Sequence, residues 1–328
     1  MRSAGMGFGA ALVLIVLAGS ADARGTLTSF DPRGSVNTYA IGINDEGAIT
    51  GWYEDNAGGQ HGFVRNAKGH VTAFDAVRPN SINIDGVIAG WHGTHGFVRA
   101  ADGTLTLFDP SGSSQTYAFG LNDKAAIAGD YEDASGVFHG YVRTANGKIT
   151  TFDPVGSGGT EAFAVNDKGV ITGYYYDEMH TGHGYVRAAD GTIITFDPSG
   201  SIYTEGDGIN DEGVVAGRYR DDTGQSHGYV RDADGNFTVF DPAGSCGGGF
   251  CATFVSGINR NGSISGTYYN RNSVGRGYLR TADGRITTFG VPKTDLTQAE
   301  HINNNGLVAG SWFKNIKSDQ QHGFFWSR

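Results

Sequence analysis

Three short strings recur along this chain seven times each, always in the same order. One closes on Phe-Asp after a Thr-rich stretch, at Phe30-Asp31, Phe74-Asp75, Phe108-Asp109, Phe152-Asp153, Phe196-Asp197 and Phe240-Asp241, with Phe289-Gly290 as an altered seventh copy. The second, an aliphatic residue followed by Asn-x-x-Gly, places its Asn at Asn44, Asn83, Asn122, Asn166, Asn210, Asn259 and Asn303, and Ala125 replaces the Gly of the third copy. The third, His-Gly-Phe/Tyr-Val-Arg, begins at His61, His95, His139, His183 and His227, with Arg276-Gly277-Tyr278 and His322-Gly323-Phe324 as variants. Successive Phe-Asp markers lie 44, 34, 44, 44, 44 and 49 residues apart. A period of this size marks one supersecondary unit, repeated because it cannot bury its apolar face alone.

Each unit reads as four short strands. In the third they are expected at Thr116–Asn122, Ala126–Asp133, Phe138–Thr144 and Lys148–Asp153. Asn-Asp-x-Gly and Ala-Asp-Gly strings supply the positive φ that tight hairpins need. Small residues on the first strand (Ala40/Gly42, Ala118/Gly120, Ala162/Ala164, Gly206/Gly208) suit a place where backbones crowd. Four antiparallel strands in about 44 residues describe a β-propeller blade. The expected fold is therefore all-β: a seven-bladed propeller of four-stranded antiparallel blades. The repeat region opens on a fourth-strand string, Gly25–Asp31, and ends on a third-strand string, Gln321–Arg328. A ring lets the N-terminal strand complete the last blade and removes an unpaired sheet edge. An open β-solenoid is the rival architecture.

Residues 1–23 read as a secretory signal peptide, with Arg2 ahead of the apolar run Phe8–Ala18 and Ala21-Asp22-Ala23 as the cleavage site. Residues 24–328 then form a single seven-repeat domain, soluble after cleavage, without membrane insertion, and secreted or periplasmic. The net charge of −10 disfavours nucleic acid, which needs clustered Lys and Arg. Export permits a disulfide, and Cys246 and Cys251, flanking three glycines, are the only cysteines. Such a bridge would staple one loop.

The strings Gly42-Ile43-Asn44-Asp45-Glu46-Gly47-Ala48-Ile49-Thr50-Gly51 and His61-Gly62-Phe63-Val64-Arg65 resemble the repeats of the probable extracellular repeat, HAF family. The resemblance covers nearly all of residues 25–328, with Gly standing here where the family name has Ala. It implies a secreted repeat protein and brings no reaction and no catalytic residue.

In a meander of this kind two loops per unit share one face: the Asp-Pro-x-Gly-Ser link and the loop between the second and third strands. Longer loops carry function on repeat folds. The expected ligand groups are therefore Tyr53 and Asp55, Tyr131 and Asp133, Tyr175 and Asp177, and Tyr219 and Asp221, aromatic planes beside carboxylates that suit sugars. The opposite face is expected to hold only tight turns. The repeat histidines His61, His95, His139, His183, His227 and His322 sit in separate units, too far apart to share a metal, and are expected to bond a carboxylate or backbone group of their own blade. An Arg–Asp pair is expected between each repeat arginine and the fourth-strand Asp. His92-Gly93-Thr94-His95 lacks an acidic or Cys partner, and Asp232-x-Asp234-x-Asn236 lacks the Gly and Glu of a calcium loop. No metal site, catalytic residue or cofactor is assigned.

The function expected is non-catalytic binding or scaffolding outside the cytoplasm, with carbohydrate or an extracellular protein as partner. The alternative is a secreted glycoside hydrolase or lyase using loop-face carboxylates. The two differ in one respect: an enzyme concentrates unique, non-repeated carboxylates at the central channel mouth, whereas a repeat binder shows equivalent pockets.

Overall fold

A computed structural model describes residues 15–17, 25–75, 77–245, 252–315 and 320–328, and everything regular in them is β-strand. No helix among them is long and apolar enough to cross a membrane. The third unit is typical: Ser113–Leu121, Ile127–Asp133, Phe138–Arg143 and Ile149–Phe152 pair antiparallel in sequence order. Its first strand begins earlier than the sequence implied, because Ser113 and Gln115 pair with Asp133 and Glu132 across a bulge. The N-terminal strand Thr26–Phe30 pairs antiparallel with Gln321–Ser327, from Thr26 against Ser327 to Phe30 against Gly323. On its other edge it takes Ile15–Leu17, with Val16 opposite Thr28. The cysteine pair Cys246 and Cys251 lies outside the described residues.

Each repeated residue has a local physical task. The Asn of Asn-x-x-Gly accepts from the backbone four residues on, as Asn44 Oδ1 does from Ala48 N at 2.9 Å. The same Asn donates from Nδ2 to the carbonyl of the next unit's Asn, as in Asn122 to Asn166 and Asn166 to Asn210, both at 2.8 Å. Asn303 donates to Asn44 O at 2.9 Å, so the last unit is tied to the first. The turn Gly holds φ near +76° at Gly47 and +77° at Gly169. Ala125 is driven to φ +57° in the same place, a left-handed conformation that costs an L-residue roughly 1–2 kcal/mol.

The His-Gly-Tyr tyrosines lie across the second strand. Tyr141, Tyr185, Tyr229 and Tyr278 are wholly buried. Their hydroxyls donate to first-strand carbonyls, for example Tyr229 to Glu205 O at 2.7 Å. The glycines crossed on the way (Gly129, Gly217, Gly266) have no room for a Cβ. The Gly beside each Tyr or Phe is filled in turn by the ring of the Phe-Asp marker: a Cβ on Gly140 would come within 2.8 Å of Phe152. Among the described residues the expected Arg–Asp pair is not made. Each repeat arginine instead lies over the Phe of the preceding unit, Arg143 over Phe108 at 4.9 Å and Arg187 over Phe152 at 4.7 Å. The Asp is already engaged by the histidine, so the Arg head settles on the ring face and its Nη1 donates to the next backbone carbonyl.

Candidate binding cavity at the axis

The residues singled out as loop-face ligand groups are held by their own units. In the third unit Asp133 Oδ1 accepts from Ser135 N at 2.7 Å and Val137 N at 3.0 Å, which closes the turn. Its Oδ2 faces His139 Nε2 at 3.5 Å, and His139 Nδ1 donates to Asp153 Oδ2 at 2.8 Å. Thr160, on the next unit's first strand, then donates to Asp153 Oδ1 at 2.7 Å. The chain repeats through Asp177, His183 and Asp197, and through Asp221, His227 and Asp241. In other units His61 keeps the contact to Asp55 at 3.0 Å, His95 that to Asp109 at 2.6 Å, and His322 that to Asp31 at 2.7 Å. Tyr53, Tyr131 and Tyr175 are buried, Tyr219 is partly so, and all four rings pack on these imidazoles with centroids 4.9–5.3 Å apart. These eight Tyr and Asp residues therefore stay one pair to a unit and are not gathered into a common pocket. Asp232 likewise holds a turn, accepting from Asn236 N at 2.8 Å. Among the described residues no group of three or more His, Cys, Asp or Glu is placed to hold a metal ion.

What does converge is a set of residues no repeat marker includes. The first strands line an axial channel, and at one register position along them the residue and its partner on the second strand change from unit to unit. Round the molecule those cross-strand partners are Tyr39 with Trp52, Arg78 with Trp91, Tyr117 with Asp130, Glu161 with Tyr174, Glu205 with Arg218, Phe254 with Thr267, and Gln298 with Ser311. No two pairs are alike. The framework residues are copied from unit to unit, whereas this one layer differs in every unit. A comparison of unlike positions between the units would have found it; the search for recurring strings passed over it.

On one side of that layer a cavity of about 470 Å³ opens among Glu161, Phe163, Tyr174, Glu205, Asp207, Arg218, Phe254, Tyr269 and Gln298. Its walls are aromatic: Phe163 and Tyr174 are 5.5 Å apart, Tyr174 and Tyr203 5.5 Å, and Arg218 lies 4.7 Å over Phe254. Its polar groups are tightly coupled. Tyr174 donates to Glu161, Tyr203 donates to Glu205, and Arg218 grips both oxygens of Glu205, Nη2 to Oε1 at 2.9 Å. Burial works against the Arg218 charge, but Glu205, with Asp207 behind it, outweighs that and holds the guanidinium firmly protonated. Glu161 is pushed up by burial first, against the Tyr174 hydrogen bond and with help from the Glu205 charge. Asp207, enclosed at the floor, is pushed well above the usual carboxylate range by burial and then by Glu205.

Below the floor the channel narrows to about 180 Å³ between Phe119, Phe163, Asp207, Ser256 and His301. It emerges on the tight-turn face, which is not featureless as expected: a hollow of about 190 Å³ is ringed there by Asn44, Asn83, Asn122, Asn166, Asn210, Asn259 and Asn303 and the residues after them. Asp167 Oδ1 accepts from Asp123 N, and Asp211 Oδ1 from Asp167 N, both at 2.9 Å. Arg260 bridges Asp211 and Asp167 at 3.3 and 3.4 Å, so its cation offsets the carboxylates of the ring.

These environments set a pH dependence. For His139, His183 and His227 burial opposes the charge, yet the flanking aspartates outweigh it and raise them above 6.5. Enclosure alone pushes Glu300 up to about 8. Groups raised on folding contribute stability that is complete below their unfolded values and is lost as pH climbs through the folded ones. Asp133, Asp177 and Asp221 are lowered by turn and histidine hydrogen bonds, so their contribution appears above 3.8 and is lost only in acid. The thermal midpoint is therefore expected to fall from roughly pH 5 to pH 8. Glu300→Gln should flatten that slope, and a midpoint rising over the same interval would contradict these assignments.

No protein-family model matches the chain, and no curated protein matches it. Solved structures do. A catalytically inactive virginiamycin B lyase from Staphylococcus aureus, crystallised with quinupristin, superposes with a TM-score of 0.62 at 11% identity over 91% of this chain and 98% of that one. Puromycin hydrolase gives 0.60 at 12% identity, covering 84% of this chain and 50% of that one. TolB from Acinetobacter baumannii gives 0.53 at 12% identity, covering 74% and 62%. The shared feature is the fold: this chain is an all-β repeat protein with a β-propeller architecture.

Proposed function

We propose that this chain is an exported, seven-bladed propeller, closed by Thr26–Phe30 in its last blade, that binds one small hydroxylated organic molecule, a carbohydrate, in the axial cavity. The carrying observation is the single layer of unlike residues around the axis, set in a framework that is otherwise repeated. Seven equivalent pockets would bind seven equivalent ligands, whereas one cavity lined by unlike side chains of four units selects a single, asymmetric one. The cavity of about 470 Å³ is of the size that encloses a small ligand. Phe163 and Tyr174 offer apolar faces for sugar C–H groups, while Glu161 and Gln298 offer hydrogen bonds at the rim. The Asn303-to-Asn44 link and the pairing of Thr26–Phe30 with Gln321–Ser327 support the closed ring. Export and the likeness to HAF repeats belong to the same proposal, on the leader-like segment and the repeat strings.

The test is a glycan array followed by titration of the best binder into the mature protein. One ligand per chain is expected, with binding lost on Tyr174→Ala in protein that still melts cooperatively, at a lower temperature. A stoichiometry approaching the number of repeats would defeat the proposal, as would binding indifferent to Tyr174. A second reading, a glycoside hydrolase or lyase, is favoured by the unique, non-repeated carboxyls at the axis, the feature expected of an enzyme, and by Glu161 being pushed toward its acid form while Arg218 neutralises Glu205, since environments that separate two carboxyls in this way suit acid–base work. Turnover of a bound glycan that ceases in Glu161→Gln would establish it.

A further inference from the structure

The charged groups of the axial cavity do not balance. Glu161, Glu205 and Asp207 line it, and Arg218 is the one cation among them. That cation is committed, because its guanidinium spans both oxygens of Glu205. Among the described residues neither Glu161 nor Asp207 makes an ion pair, and burial favours the neutral form of each. Asp207 is the more exacting of them. It lines both the cavity and the channel beneath, yet its Oδ2 is sealed from solvent and has no hydrogen-bond partner. A polar atom in that state is costly unless something pairs with it.

Resting on the reading of this cavity as the ligand site, we infer that its ligand carries a protonated amine, with Asp207 and Glu161 as the counter-charge and an amino sugar as the class that also meets the hydroxyl contacts. Every group that faces Asp207 is consistent with this. Glu205 lies on its own strand, Glu161 across the cavity, Arg218 on the neighbouring strand and His301 across the channel. The Tyr229 and Tyr278 hydroxyls feel its charge but donate to the carbonyls of Glu205 and Phe254. Burial, and then the Glu205 charge, favour the neutral form of Asp207 against the opposing pull of Arg218. An entering ammonium group stabilises the carboxylate instead, so Asp207 gives up its proton to solvent and an ion pair forms with no covalent bond made or broken. Phe163 and Tyr174 present ring faces to the same space, which a cation occupies more favourably than a neutral group does. A neutral sugar could accept or share a hydrogen bond here but would give neither carboxyl a cation with which to ionise.

The experiment is titration calorimetry of the mature protein with glucosamine and with glucose near pH 6, in two buffers of different ionisation heat. Glucosamine should bind more than about tenfold tighter than glucose, with close to one proton released per ligand. Asp207→Asn, which mimics the neutral carboxyl, should keep its fold by thermal melting and lose both the preference and the proton release. Equal binding of the two sugars, abolished by Tyr174→Ala, would overturn the amine while leaving the cavity as the carbohydrate site. Binding of neither would overturn it too, and the cavity would then be judged on the glycan array alone. A glucosamine preference that survives in Asp207→Asn with no proton released from the native protein counts equally against it.

Discussion

Removing residues 25–31 should leave a chain that does not fold to a stable monomer. Thr26–Phe30 supplies the outer strand of the last sheet, and both its apolar residues are deeply buried, Leu27 at 6% exposure and Phe30 at 1%. Burial of two such side chains is worth about 1.5–3 kcal/mol each. The loss does not stop there. Phe30 packs edge-on to Phe63 and carries Arg65 on its face, Ser29 donates to Gly323 O and accepts from Trp312 Nε1, and Asp31 holds His322. Against a typical total stability of about 5–15 kcal/mol, removal of the whole strand takes most of the margin. It also bares the edge of Gln321–Ser327 to other chains, so aggregation should accompany the loss. A synthetic peptide of residues 25–31 added during refolding should recover soluble protein. Recovery of a monomer with unchanged melting temperature from the truncated chain alone would show that the ends are not coupled.

A second large effect is expected from a single atom. Gly173 sits in the second strand where a Cβ would overlap the carbonyl oxygen of Glu161 and press on Ala162. Gly51, Gly90, Gly129, Gly217, Gly266 and Gly310 occupy the same place in the other units, each against a first-strand carbonyl. Backbone cannot yield there as a flexible side chain would, because the first strand is itself packed against the axis. Gly173→Val should cost about 3 kcal/mol or more, the upper range for overpacking. The contrast is Gly159, on the adjoining strand, where the nearest atom to an added Cβ is 4.0 Å away and the backbone angle is ordinary. Gly159→Ala should melt close to the native protein. Similar melting of Gly173→Val and Gly159→Ala would refute the crowding argument.

The repeat strings were legible because each answers a local demand that recurs with every unit. A turn needs Gly47 or Gly169 at positive φ, an Asn side chain must close it, and a Gly must lie beneath each Tyr or Phe of the third strand. Demands of this kind act between residues close in sequence or one unit apart, so they print themselves on the chain as spacing. The histidines followed the same logic, since His139 and Asp153 are fourteen residues apart and the tight turn between their strands sets the register, Gly140 against Phe152, in which they meet. The arginines did not, because the competition between Asp and Phe for Arg143 is settled by which partner the histidine leaves free.

Among the described residues the sequence by itself determined where the repeated strands and turns fall and in what order, since backbone sterics and hydrogen bonding over a few residues leave little choice. Only the tertiary structure decided which residues meet at the axis. Glu205, Asp207 and Arg218 share one hairpin, but Glu161 and Tyr174 reach them only because the neighbouring unit brings its own residues to the same cavity, and that meeting is a property of the assembled units and of no local string. There side chains withdrawn from water and pressed together acquire protonation states and pairings that none of them has alone.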